Sequence, residues 1–411
     1  MKENVRDVIP QAHKKSALSD LLHLLQGICY LPQWHIQRFY RRDSLLWTFG
    51  AWSGERYSDN SRVVFEYVLA HHPEIQAVWM TRSQQVYDRL QREGKPVALC
   101  TSDEGRRIQR KSGVFFCTAN IYDSDVKQMN GIYYVNLWHG MPLKQVGEDA
   151  MKRLRSKGLW KRIKTLLRKC CLPWEFISGP TLCSSPFFRP FYSSAFKLND
   201  ENLWRIVEPR LSRLDGHGGE KLSKQLDAQF CNPLKVLYMP TFRDDKVGTF
   251  NPFQMAEGFD KVRFERMLVE KNIVFLYKGH FIDNVKSEEG NQGRLRTIGD
   301  DDYDDLYRFL NDIDVLVTDY SSIYFDFLCL KRPMILFPFD QNEYNSKAHM
   351  FYYDYSLMEA KKVYSWPEME QCLRDRTYYP PTTAELQRFR PLPVDNCREE
   401  LVQKVLSVVK D

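Results

Sequence analysis

The sequence predicts an α/β protein with two doubly wound, mostly parallel sheets. Hydrophobic runs of strand length alternate with longer segments of helical period. The runs are apolar at successive positions rather than at alternate ones, as in strands covered on both faces. A polar, glycine-containing stretch at residues 212–220 divides the series into two halves. In chain order, a leucine-rich segment at 17–30 predicts an N-terminal helical extension over residues 1–44. Strands follow near 45–49, 77–80, 114–118 and 132–136, and a helix over 61–71 carries the apolar face Val64, Phe65, Val68 and Leu69. A basic segment at 152–169 interrupts the rhythm of this first unit, which spans 45–205. The second unit, 225–390, has expected strands at 235–239, 273–277, 313–318 and 334–337 and helices over 260–270, 303–311 and 322–330. A terminal segment, 391–411, ends in a helix from about 398 to 410.

Composition narrows the functional classes. The 411 residues are 43% hydrophobic with only 20 Gly and 20 Pro, which excludes collagen-like, low-complexity and wholly disordered chains. Lys and Arg number 59 against 53 Asp and Glu, a net charge of +6. That excess favours anionic substrates or an anionic membrane surface and is too weak to imply nucleic acid. The ten cysteines show no repeated CxxC spacing and read as reduced thiols. Neither a secretory leader nor a transmembrane helix is expected, since the longest nearly apolar segment, 21–31, is too short to cross a bilayer. The expected location is therefore cytoplasmic. Residues 17–30 and 152–169, the latter with nine Lys or Arg among its leucines, fit either helices packed on their own domain or helices lying on the inner face of a membrane.

In open parallel sheets ligands bind beyond the carboxyl ends of strands, and four such places carry chemistry. At 136–144, His139 leaves a strand, Gly140 and Pro142 shape a loop, and Lys144 follows. A histidine there serves either as a general base or as a hydrogen-bonded turn residue. At 318–322, Ser321 and Ser322 open a helix whose free N–H groups suit a phosphate, or they cap it. At 239–245, Thr241 and Arg243 suit a phosphate, unless Arg243 pairs with Asp244 or Asp245. At 277–281, His280 follows a strand beside Lys278, so two strand-end histidines would face each other across a cleft. The acidic run 300–305 reads as charge complementarity at a helix start. With no Walker loop, HExxH, nucleophile elbow or paired CxxC, hydride transfer, serine hydrolysis and zinc chemistry lack support.

Together these segments resemble the CDP-glycerol:poly(glycerol phosphate) glycerophosphotransferases. Trp47 to Phe65, with Gly50, Gly54 and Tyr57-Ser58-Asp59-Asn60-Ser61, is similar to the family's N-terminal signature. Residues 136–144 are similar to its WHGxPLK motif, 240–245 to PTFRDD, and Asp319-Tyr320-Ser321-Ser322 with Phe325-Asp326 to DYSSxxFD. Lys331-Arg332-Pro333 and residues 340–344 continue the similarity, which covers roughly 45–345. Two departures are present: His280-Phe281 stands where the family has His-Pro, and 207–211 keeps only Pro209-Arg210 of a GxPRND turn.

The resemblance implies a GT-B fold, two Rossmann-like domains facing a cleft with the nucleotide on the C-terminal one. It implies transfer of an alditol phosphate from CDP-glycerol or CDP-ribitol to a saccharide or lipid-linked polymer acceptor, with release of CMP, in building a teichoic acid, capsule or O-antigen. In that reaction His139 would be the base and His280 would contact the donor phosphate. Ser321 and Ser322 would cradle the pyrophosphate, and Thr241 and Arg243 would help bind it. Lys144, Arg210, Asp319 and Asp326 complete the expected substrate-binding set. No metal or other cofactor is expected, the CDP-alditol being a substrate. The alternatives are a GT-B sugar transferase, a nucleotide-sugar epimerase, and a non-catalytic polysaccharide-assembly scaffold.

Overall fold

A computed structural model describes residues 17–119, 121–154, 166–241, 243, 250–279, 293–347, 350–389 and 394–409. The first half forms β1 (Asp43–Phe49), β2 (Gln76–Thr81), β3 (Val97–Leu99), β4 (Ser112–Cys117), β5 (Tyr133–Asn136), β6 (Thr181–Leu182) and β7 (Leu203–Trp204). They pair in the order β3-β2-β1-β4-β5-β6-β7, every pair parallel. The second half forms β8 (Leu234–Tyr238), β9 (Ile273–Tyr277), β10 (Leu295–Thr297), β11 (Val315–Thr318), β12 (Met334–Leu336) and β13 (Lys361–Lys362), in the parallel order β10-β9-β8-β11-β12-β13. These are the two doubly wound units that the alternating pattern and the GT-B resemblance led us to expect.

The apolar runs became strands because both of their faces are covered. All five residues of β9 and all four of β11 are buried, which an alternating polar pattern would not survive. In each sheet the strand order reverses beside the first strand, between β1 and β4 and between β8 and β11. In doubly wound sheets such reversals are where ligand crevices form. Three short or peripheral strands of the first sheet (β3, β6, β7) and two of the second (β10, β13) add to the expected set.

The helices differ more from expectation. The segment expected at 303–311 is a 3-10 turn, Asp300–Asp302, followed by Leu306–Leu310. Asp305 caps that helix by accepting the N–H groups of Tyr307 and Arg308. The helix expected at 322–330 is α-helical over Ile323–Phe327 and 3-10 over Leu328–Leu330. The acidic run does more than favour helix starts: Asp300 pairs with Arg56, and Asp304 with Arg62 and Arg89, so it also ties the second sheet's unit to the first. The polar stretch after Arg213 lies down on the second unit, where the Asp312 carboxylate accepts the N–H groups of Gly219 and Glu220.

The chain's last helix, Cys397–Val409, crosses back to pack on helix Asp59–His71. His72 joins the two, with Nδ1 3.0 Å from Glu74 and Nε2 2.9 Å from Glu399. Burial lowers the His72 pKa, but the two carboxylates outweigh it and the net shift is upward. For Glu399 burial also opposes the outcome, and hydrogen bonds from Gln403, His72 and Tyr67 bring its pKa down to about 2. The histidine's contribution is complete below its ordinary 6.5 and fades as pH rises through the raised value. The carboxylate's is complete above its ordinary 4.5 and fades as pH falls toward about 2. Glu399→Gln should therefore lower Tm more at about pH 5.5 than at about pH 8. The Glu399 side chain is 38% exposed, so the effect is modest; thermal melts of the two proteins across that range check it.

Candidate active site

Beyond β5 the chain turns sharply, with Trp138 at φ 57° and its N–H donated to the Asn136 side chain at 3.0 Å. The turn holds His139 half-buried between the Trp52 and Trp138 rings, at centroid distances of 5.2 and 4.1 Å. Its Nδ1 lies 3.2 Å from the Thr118 carbonyl oxygen just past β4. A carbonyl only accepts, so Nδ1 carries the proton and Nε2 is the basic nitrogen. Burial lowers the His139 pKa, Asp59 and the Thr118 bond pull it back, and Arg210 and Lys144 lower it further; the net shift is downward. The ring is thus neutral and basic at neutral pH.

The start of helix Asp59–His71 fixes this geometry. The Asn60 amide donates to the carbonyls of Leu137 (3.3 Å) and Trp138 (2.8 Å), and its oxygen accepts the Arg210 N–H at 2.9 Å. The Ser61 hydroxyl and N–H meet the Thr118 hydroxyl at 2.7 and 3.1 Å. Asp123 adds a second brace, accepting the N–H groups of Ser53, Thr118 and Ala119 at 2.7–2.8 Å. Sequence reasoning noted Asp59-Asn60-Ser61 only as part of a signature and gave Asp123 no role. The signal for Asp123 is a contact between loops, which no local pattern shows.

Across the cleft, β8 and β11 present Thr241, Arg243 and 319–322. Asp319 is fully buried. One carboxylate oxygen accepts the Thr241 N–H (2.7 Å), the Thr241 hydroxyl (2.6 Å) and the Tyr320 N–H (2.5 Å), and the other accepts from Arg243 at 2.8 Å. Arg243 also forks onto Asp340 at 2.9 and 3.0 Å. Arg243 thus pairs with Asp319 and Asp340; its expected partners, Asp244 and Asp245, lie outside the described residues. Asp319, Thr241 and Arg243 form one buried knot that holds the two loops together. Ser321 and Ser322 are half-buried at the opening. The Ser321 hydroxyl approaches the Ile323 N–H at 3.5 Å, a weak cap that leaves most of its hydrogen-bonding capacity to the cleft.

The two sides meet at Gly140. A Cβ there would stand 2.4 Å from the Ser322 hydroxyl oxygen and 2.8 Å from its Cβ. Gly140→Ala should therefore push the His139 loop off the serines and, at a backbone φ of 155°, strain the turn as well, lowering both kcat and Tm; paired rate and melting measurements check this. Lys144 reaches over the same seam, its ammonium 5.7 Å from the Tyr344 ring centroid and its backbone bridged to Phe351. Arg210 lies beneath, fully buried, forking onto Asp326 at 3.2–3.3 Å and reaching Asp59 at 3.2 Å. Tyr307 donates to Asp326 at 2.7 Å. Arg210 and Asp326 thus join the two units from behind rather than at the cleft surface.

The structure brings His139, Lys144, Arg210, Ser321 and Ser322 to one seam, with Thr241, Arg243, Asp319 and Asp326 supporting it. His280 lies outside the described residues. Lys278, at the end of β9, pairs with Asp300 at 3.1 Å, and its pKa is brought down to about 8 by burial and the nearby Arg56.

Residues 33–369 match the family model described as CDP-glycerol:poly(glycerophosphate) glycerophosphotransferase. The chain is similar to a teichoic acid glycerol-phosphate transferase of Staphylococcus aureus, with 26% identity across 75% of this chain and 77% of the relative. It is also similar to a teichoic acid poly(glycerol phosphate) polymerase of Bacillus subtilis, at 26% identity across 75% of this chain but only 40% of the relative. Among solved structures, a variant of the wall teichoic acid polymerase TagF soaked with CDPG superposes with a TM-score of 0.70 and 17% identity, covering 96% of this chain and 98% of that one. At that identity the likeness is one of fold.

Proposed function

We propose, for a chain that belongs to the CDP-glycerol:poly(glycerophosphate) glycerophosphotransferase family, that it transfers glycerol phosphate from CDP-glycerol to a hydroxyl of a growing surface polymer. The observation that carries the reading is His139: a histidine with its tautomer set by the Thr118 carbonyl, on a loop whose next residue, Gly140, closes against Ser322 of the other unit. In the reaction Nε2 takes the proton of the attacking hydroxyl. The acceptor oxygen bonds to the phosphorus bearing glycerol, and the bond from that phosphorus to the bridging oxygen breaks, so that CMP leaves with the electron pair. The hydroxyls and N–H groups at 321–323 and the Lys144 ammonium are suited to the charge on the two phosphates. Catalysis of this kind rests on positioning and charge neutralisation. The nearby carboxylates of Asp59, Asp319 and Asp326 are engaged by arginines, so we assign the neutralising role to side chains and to no resident metal.

A peripheral position on the inner face of an anionic membrane belongs to the same proposal. In the described residues, no helix is long and apolar enough to cross a membrane. Helix Ala17–Gln37 nevertheless exposes Leu22, Leu25, Ile28 and Ile36, and Phe39 beyond it is 82% exposed. Its other side packs on Leu172 and Trp174, next to exposed Leu166, Leu167 and Phe176. An apolar face continued by basic residues suits an interface. Most of the basic stretch 152–169 lies outside the described residues.

The test is CMP release by the full chain, offered CDP-glycerol and CDP-ribitol separately with a glycerol phosphate-primed acceptor. Release from CDP-glycerol alone supports the reading. Release only from CDP-ribitol replaces the donor, and release from neither overturns the reaction. Flotation with phosphatidylglycerol vesicles at low and high salt tests the membrane part, where binding that weakens with salt is expected.

A further inference from the structure

A second concave site lies on the same edge of the first sheet, away from the seam. Between helix Ala17–Gln37 and the ends of β2 and β3 is a cavity of about 410 Å³ that takes in Arg82, Arg106, Arg110 and Lys127 with a single acid, Asp125. Among the described residues, only Arg106 of these four cations has a carboxylate within salt-bridge reach, Asp103 at 3.8 Å. Arg110 donates to the neutral Gln128 side chain at 2.7 Å, and Arg82 donates to the Ser124 carbonyl at 2.8 Å. The Arg82 Nε is buried with no hydrogen-bond partner. Lys127 is held over the Tyr30 and Trp174 rings at 5.5 and 5.9 Å. Four cations against one acid make the concavity electropositive and suited to an anionic ligand.

The cavity is coupled to the base. The Arg82 N–H donates to the Gly54 carbonyl at 2.7 Å, and Trp52 of that same turn packs on His139. On its far side stands the helix with the exposed apolar face. Each glycerol phosphate transfer adds one phosphodiester, so an extended acceptor carries one negative charge per unit behind its reactive hydroxyl.

We propose that this cavity binds phosphodiester groups of the acceptor, holding the extended chain so that its terminal hydroxyl reaches His139. The inference rests on the transferase reading and adds to it the acceptor's chemistry and its place on the first sheet's unit. Arg110 and Lys127 grip the phosphates, and the unpartnered Arg82 Nε completes the cradle.

The test is calorimetric titration of the full chain with a synthetic glycerol phosphate tetramer, comparing wild type with Arg110→Gln/Lys127→Gln. Inorganic phosphate and phosphatidylglycerol vesicles serve as separate arms. The expected result is salt-dependent tetramer binding that weakens at least about tenfold in the variant, with CDP affinity and Tm kept. Arg110→Lys, which restores charge, should recover part of the loss. Equal tetramer affinity in the two proteins overturns the proposal, as does a variant that loses only vesicle binding, which would make the cavity a lipid headgroup site. If the variant melts early, Lys127→Gln alone decides, since that side chain makes ring contacts and no hydrogen bond in the described structure. Tetramer binding without CMP release removes the transferase reading and leaves the site; CMP release with an unchanged acceptor KM in the variant removes the site and leaves the reading.

Discussion

His139→Ala is expected to lower kcat by about 10²–10⁴-fold, the usual contribution of a positioned general base, while CDP affinity changes little. The separation follows from the geometry. His139 is held by backbone and ring contacts within the first unit, through Thr118, Trp52 and Trp138. The Asp319–Thr241–Arg243–Asp340 knot that shapes the loops across the cleft does not involve it. Kinetics at saturating acceptor, with CDP binding measured separately, check both parts. Ser61→Ala should reproduce a smaller version, because it loosens Thr118 and leaves the imidazole present but less well oriented.

Arg210→Met is expected to cost about 3–5 kcal/mol of stability, a large share of what holds a domain together. Arg210 is fully buried and satisfies Asp326 on one unit and Asp59 on the other. Removing it leaves two carboxylates without their cation, and the Asp326 pKa is already raised by burial against the pull of Arg210. Uncompensated buried charge costs more than the pair ever contributes. Arg210→Met combined with Asp326→Leu should recover a large part of the loss, which denaturant titration of both proteins would measure. A single variant of near wild-type stability would mean that Arg210 does not join the two units.

What the sequence made legible was the set of runs that no alternative structure could bury. The runs of β1, β4, β5, β8, β9, β11 and β12 are mostly apolar, and the ends of β5, β8 and β11 fixed where His139, Thr241 and Ser321 would emerge. The short strands β6, β7 and β13 have two residues each, too few for any period to register. Helices Gln84–Arg92 and Asp103–Lys111 were missed for a different reason. They are polar on most of their surface and bury Leu90 in one and Gly105 and Gln109 in the other, so the apolar stripe that marks a helix is almost absent.

The same division holds in the site. Residues carried on strand ends were found, whereas Asp123 and Tyr307, whose partners are brought to them only by the fold, carry no local signature, and Asn60 stood out only within the family-like stretch 57–61. Arg243 shows the converse. Its neighbours in sequence drew attention to a local partner, whereas the partners among the described residues, Asp319 and Asp340, come from far along the chain.

The most direct measurement is the pH dependence of single-turnover CMP release from CDP-glycerol by wild type and His139→Ala. The wild-type rate should hold at neutral pH and fall on the acid side with a pKa below the ordinary 6.5 of histidine, because burial lowers the His139 value and the protonated ring cannot accept a proton. The residual rate of His139→Ala should lack that acid limb. An acid limb that persists unchanged in His139→Ala would contradict the assignment of this histidine as the base.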